Sequence, residues 1–213
     1  MPAPLLSAAE SEEIRRAVAA VEARTGTEVV ARLVAGCDPY EQAYWKGAAL
    51  GALAGLTTVS VAWQGWGAAP WHSFAAAVLG ALVVGLAVAL WPDLRRRMVP
   101  ASVLDRRVEA RAVEAFVAHE VFATRARSGI LVLVARFEHR VVVLADSGIH
   151  GKVARERWND LALEVAAGMR SGRAADALRL AVVRCGELLD AAGFRAADDD
   201  PNELPDAPVA TAD

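Results

Sequence analysis

Apolar positions recur at two different periods along the chain, and one central region has no polar rhythm at all. Ile14, Ala17, Val18 and Val21 repeat at helical spacing behind Ser7-Ala8-Ala9-Glu10, a capping box in which the serine hydroxyl accepts from the Glu10 amide and the glutamate reaches back to the helix start. Gly26 suits the left-handed residue just past the end of such a helix. Thr27 to Val34 alternates and is β-branched, which predicts a strand. Asp105 to Thr124 reads as an amphipathic helix, with Val113, Phe116 and Val117 on its apolar face and Arg107, Arg111 and Glu114 elsewhere. Ile130–Ala135 and Val141–Ala145 are short apolar runs around Arg136 to Arg140 and predict two buried strands joined as a hairpin. Trp158, Leu161, Val165 and Met169 give the stripe of a following helix, which Ser171-Gly172 interrupts. Leu178, Ala181, Val182, Cys185 and Leu189 give the stripe of a last helix stopping near Gly193. The order is that of an α/β unit, a small sheet flanked by helices, covering residues 5–45 and 99–195.

The unpatterned region is 46–98. Residues 47–63 and 74–91 contain no charge, and each run is close to the roughly 17–25 residues a helix needs to cross a bilayer. Two transmembrane helices joined as a hairpin are expected. Gly47, Gly51 and Gly55 fall every fourth residue and put a smooth stripe on one face for close helix contact, a surface through which a homo-oligomer could form. The loop from Gln64 to Ser73 has no Lys or Arg, whereas Lys46 precedes the first run and Arg95, Arg96 and Arg97 follow the second. The positive-inside bias then places the loop outside and both termini in the cytoplasm, so a plasma (inner) membrane protein is predicted. Trp63, Trp66 and Trp71 mark the outer interface, Trp45 and Trp91 the inner one, as indoles with one wet side should. The three arginines are placed to meet anionic lipid headgroups.

Composition agrees. Of 213 residues, 55% are hydrophobic, and the mean hydropathy of +0.28 is high for a wholly water-soluble domain. The net charge of -3 offers no polycationic surface for nucleic acid. The first twenty residues carry Glu10, Glu12 and Glu13 and lack an apolar core, so no cleavable signal is expected. Residues 196–213 hold Asp198-Asp199-Asp200 and three prolines with few large apolar residues, which predicts a disordered acidic tail. Neither span contains Asp, Glu, Lys, Arg or His, the residues that transport paths require, and an anchor is expected rather than a channel.

Candidate chemistry is sparse. Asp146-Ser147-Gly148 stands between a strand end and a helix start, where open α/β sheets bind ligands and free helix amides attract anions. The competing reading is a plain cap, with Asp146 or Ser147 closing the helix and Gly148 and Gly151 permitting the turn. His119-Glu120 lacks the second histidine of a zinc-protease helix. Ser147 lacks the G-x-S-x-G elbow of a hydrolase. His139 and Arg140 are expected in solvent at the hairpin turn. Cys37 and Cys185 form no C-x-x-C pair, and Cys37 has no basic neighbour in sequence to activate it.

The order of several stretches resembles the TPM domain family: Leu5-Leu6-Ser7-Ala8-Ala9-Glu10, Thr25-Gly26-Thr27-Glu28-Val29-Val30, Ser128-Gly129-Ile130-Leu131-Val132-Leu133-Val134, and Arg140-Val141-Val142-Val143-Leu144-Ala145-Asp146-Ser147-Gly148-Ile149. The insertion after the first strand, Arg125-Ala126-Arg127-Ser128-Gly129, the Trp158 helix and Asn202-Glu203-Leu204-Pro205-Asp206 are similar to a membrane-bound bacterial subgroup of that family. The resemblance implies a sheet with helices on both sides, split in sequence by the hairpin. Relatives are linked to acid phosphatase activity, divalent-cation binding, photosystem repair and receptor assembly. In better-known members, acidic residues near the domain start and before the second strand help hold a cation at the strand ends. Here the matching stretches are Met1-Pro2-Ala3-Pro4 and Arg127-Ser128, which carry no carboxylate. Asp146 alone stays in place as a metal candidate, with Asp38 or Glu138 to assist it; a hard cation prefers several carboxylate oxygens.

The expected function is therefore a membrane-anchored, non-enzymatic interaction or assembly module with a protein partner and no resident cofactor. The alternative is a divalent-metal-dependent phosphatase using Asp146.

Overall fold

The computed structural model describes residues 4–66, 70–169, 173–196 and 203–211. The chain divides into two units, one formed by residues 1–37 and 105–213, the other by 38–104.

In the first unit, α1 (Ala8–Thr25) begins at the expected capping box: Glu10 N donates to Ser7 Oγ at 3.2 Å, and Ser7 N donates to Glu10 Oε2 at 2.7 Å. It ends on Gly26 at φ 62°, in the left-handed region that glycine adopts without a Cβ penalty. β1 (Glu28–Val34) follows and is buried along its whole length. β2 (Gly129–Ala135) runs parallel to β1, and β3 (Arg140–Ala145) returns antiparallel to β2. After α6 (Ser147–His150) come α7 (Arg155–Gly168) and α8 (Ala174–Ala191).

The chain end corrects an expectation. Residues 209–211, in the segment predicted to be disordered, form β4 (Val209–Thr211), parallel to β1. The sheet order is thus β3-β2-β1-β4. Ser171-Gly172 and Asp198-Asp199-Asp200 lie outside the described residues.

Helices cover both faces of this sheet. On one face Val29, Ala31 and Leu33 of β1 and Ile130, Val132 and Val134 of β2 pack with Ile14, Val18 and Val21 of α1, Trp158, Leu161 and Val165 of α7, and Leu178, Val182 and Leu189 of α8. On the other, Val30, Val34, Leu131 and Leu133 meet the helix α5 (Ala101–Ala118). The face α5 presents is not the one predicted. Val108, Ala112 and Ala115 are buried and Phe116 is partly so, while Val113 and Val117 are 55% and 57% exposed. Two alanines let the helix lie close to the sheet, which valines at those positions would prevent. The helix also stops earlier than Thr124; Glu120, at φ 51°, turns the chain into a 3-10 turn over Val121–Ala123.

The second unit holds α2 (Glu41–Trp66), α3 (Pro70–Leu90) and α4 (Pro92–Arg97). α2 extends beyond the predicted 47–63 at both ends, and α3 starts four residues before the predicted 74 and ends at Leu90, one short of 91. Among the described residues one helix, over Trp71–Leu90, is long and apolar enough to cross a membrane. α2 falls short of that standard because glycine, Thr57, Thr58 and Ser60 dilute it.

The glycine stripe is used within the chain. A Cβ built on Gly51 would run into the Gly80 carbonyl, and one on Gly55 into the Ala76 carbonyl. At Gly47 it would meet Val88 Cγ2 at 2.7 Å. The two helices thus touch backbone to backbone, the contact that a stripe of small residues permits.

Candidate functional site

The β3–α6 turn was the one candidate with both an acid and helix amides. Asp146 is 6% exposed. Its Oδ1 accepts from Ser147 N at 2.6 Å, and its Oδ2 lies 2.9 Å from Arg127 Nε. That second contact is ionic rather than a directed hydrogen bond. The next amides are equally engaged: Gly148 N donates to Arg127 O at 3.0 Å, and Ile149 N and His150 N donate to Asp146 O at 3.0 and 3.3 Å. None of these four amides is left for an anion. A Cβ on Gly148 would run into the Ala126 carbonyl and stand 2.7 Å from that of Arg127. The glycine is therefore there for close approach between two turns, and the turn joins and staples rather than opening a pocket.

The sequence offers Arg127 only as a position without a carboxylate; its pairing with Asp146 is what the structure adds. Arg127 sits at φ 54°, donates Nη1 to Phe122 O at 3.0 Å, and holds its guanidinium 5.8 Å from the Phe122 ring centroid. This geometry aims a fixed positive charge at Asp146. The arginine's only mark in the sequence is that the resemblance to the TPM family would put an acid at Arg127-Ser128.

Around it the strand ends are polar and internally satisfied. Thr25 and Thr27 hydroxyls are 2.7 Å apart, Thr25 donates to Val21 O at 2.8 Å, and Ser128 N donates to Thr124 Oγ1 at 2.9 Å.

The other candidates scatter. Glu138 accepts from Cys37 N at 2.7 Å beside the β2–β3 turn, at the opposite end of β3 from Asp146 and about 20 Å of strand away. It cannot share an ion with Asp146. Asp38 is spent locally, accepting from Tyr40 N at 2.7 Å. Among the described residues no three His, Cys, Asp or Glu side chains are grouped to hold a metal. Arg140, expected in solvent, pairs with Asp105 of α5 at 2.6 Å. His119 Nε2 lies 2.7 Å from Arg32 Nη1. A guanidinium only donates, so that nitrogen accepts and the ring is neutral; burial first and Arg32 second hold its pKa below the ordinary value. Burial pushes the Cys185 thiol far up, which makes it inert.

At one end of the helical pair, Trp45 and Trp91 are 76% and 62% exposed. Arg95 donates to the Tyr44 hydroxyl with its guanidinium 5.7 Å from the ring centroid, Arg96 pairs with Asp93 at 3.2 Å, and Arg97 is exposed. Trp71 is exposed near the other end, stacked on His72 at 3.8 Å. The side chains of Trp63 and Trp66 lie outside the described residues.

No protein-family model matches the sequence, and no curated protein sequence matches it. Among solved structures, the chain is similar to the NMR structure of the BA42 protein from the psychrophilic bacterium Bizionia argentinensis, with a TM-score of 0.58 and 16% identity over 97% of this chain and 96% of that one. At that identity the likeness speaks for the fold, a mixed α/β sheet flanked by helices.

Proposed function

We propose that the chain is an integral membrane protein whose α2–α3 hairpin crosses the bilayer, with both termini cytoplasmic, and holds a TPM-like domain at the inner leaflet as a non-enzymatic interaction or assembly module. One observation carries this reading. Leu50, Leu53, Val61, Phe74, Leu79, Leu82, Val83, Leu86 and Leu90 are all more than half exposed on the helical pair. So much contiguous apolar surface is unfavourable in water, at roughly 1.5–3 kcal/mol for each large side chain left uncovered, and favourable in lipid.

α2 is compatible with the same environment. The hydroxyls of Thr57 and Thr58 both donate to Ala54 O, at 2.9 and 2.8 Å, and Ser60 donates to Leu56 O at 2.8 Å. Each is satisfied inside the helix, so its cost in hydrocarbon falls. Arg95, Arg96, Arg97 and Lys46 at one end, with Trp45 and Trp91, fit a cytoplasmic interface.

The non-enzymatic reading of the domain rests on Asp146, whose carboxylate is engaged by Ser147 and Arg127. A phosphatase using a divalent cation would have to expel Arg127 first. Purified full-length protein should hydrolyse p-nitrophenyl phosphate at the blank rate with calcium, magnesium or manganese. Metal-dependent turnover abolished by Asp146→Ala would overturn the proposal in favour of the phosphatase.

A further inference from the structure

The free edge of the sheet is occupied in an unusual way. β1 is seven residues long, yet β4 pairs only with Arg32, Leu33 and Val34. Upstream, the Val29 amide donates to Glu22 Oε1 at 2.9 Å. The Glu28 carboxylate accepts from the backbone amides of Glu203 and Leu204 at 3.1 and 3.0 Å. Glu203 in turn holds Arg125: Oε2 accepts the Arg125 amide at 2.9 Å and Oε1 lies 3.2 Å from its Nε. Leu204 packs, partly buried, against the α5 face of the core. Just past the end of β1, the Ala35 amide donates to Thr211 O, in the last residue of β4, at 3.1 Å.

An extended segment is thus gripped by main-chain pairing at one end, by a carboxylate-to-amide clamp and an arginine at the other, and by one leucine. These are the components of strand addition, in which backbone bonds give affinity and alternate side chains give specificity. Three paired residues make a short strand, and Val209, Ala210 and Thr211 are only partly buried or exposed. Such an element opens at far lower cost than the core strands.

We propose that this edge of β1 is a strand-acceptor groove in which an extended segment of a partner protein displaces Glu203–Thr211. The resident segment defines the partner's chemistry: an acidic residue for Arg125, amides for Glu28, a leucine, a proline that keeps the chain extended, and a short spacer before a β-branched, small, β-branched triplet. This rests on the interaction-module reading and names the class of partner.

The test uses full-length protein in nanodiscs and a fluorescent synthetic peptide with the sequence of residues 201–213. The resident segment competes at an effective concentration of about 1 mM, which weakens a peptide of about 100 µM affinity roughly tenfold. Leu204→Asp should release the resident segment and raise peptide affinity by about that factor, and adding Glu28→Ala should abolish the gain. Equal binding to wild type and Leu204→Asp, or none to either, overturns the groove. A wild-type dimer that Leu204→Asp dissociates would assign the groove to a second copy and overturn the partner. Hydrogen exchange on the wild type needs no variant: Leu204 and Val209–Thr211 amides should open at least about 100-fold more often than those of β2. Exchange of both only through global unfolding overturns the proposal. None of these outcomes bears on phosphate-ester turnover or on membrane insertion, so failure here leaves the reading above standing.

Discussion

Glu22 is a carboxyl with an unusual burden. Burial drives its pKa up to about 8, with Glu28 and Asp206 adding to the rise, and the amide of Val29 only partly opposes it. A group raised in the folded state contributes stability that is fully present below its ordinary value and is lost as pH climbs through the folded one. Between about 4.5 and 8 the fold should therefore weaken, because the unfolded chain sheds a Glu22 proton that the folded one retains. Glu22→Gln keeps an acceptor for Val29 without the charge. The variant should match wild type at pH 4 and melt a few degrees higher at pH 9, as read by circular dichroism in detergent; identical melting profiles would contradict this. Nothing local in the sequence marks Glu22, because its neighbours come from β1 and from the chain's far end. The same holds for Arg127, whose hold on Asp146 depends on a turn conformation that composition does not encode. Ser7, Glu10 and Gly26, by contrast, act within one helical turn of themselves, and their roles were legible.

Among elements, α5 is the instructive case. Hydropathy ranks Val113 and Val117 above Ala112 and Ala115, yet the sheet buries the alanines. Closeness to the sheet, not residue greasiness, selects the face. Val108→Ala should cost about 1–3 kcal/mol of stability through a cavity, while Val113→Ala should stay within about 0.5 kcal/mol; reversed costs would restore the face that periodicity suggests. The paired helices offer a sharper geometric check. A Cβ on Gly85 would stand 3.7 Å from Ala48 Cβ, inside the roughly 3.5–4.5 Å that a disulfide spans. The double variant Ala48→Cys/Gly85→Cys should form an intrachain bond under oxidation, seen as a bridged tryptic peptide, and adding Gly51→Leu should abolish it by pushing α2 off Gly80. A double variant that stays reduced would mean the helices are not packed this way. β4 escaped sequence reasoning because a three-residue strand in a proline-rich stretch shows no period, and its partner strand lies far away in sequence.

For the whole molecule, charge and hydropathy suggest limits at residues 45/46 and 98/99, and the two units divide at Cys37–Asp38 and Leu104–Asp105. Function was less legible, because the Asp146 carboxylate to which the resemblance points is paired with the protein's own Arg127. The claim on which the rest depends is that the hairpin inserts with its connection outside and the α/β unit inside. In a chain with Cys37→Ser and the buried Cys185→Ala, single cysteines at Ala68 and at Glu156, which is exposed on α7, should answer it in intact cells with a membrane-impermeant maleimide. Labelling at position 68 before permeabilisation, and at position 156 only after it, is the predicted result. Labelling at position 156 in intact cells, or recovery of the full chain from the soluble fraction without detergent, would contradict it.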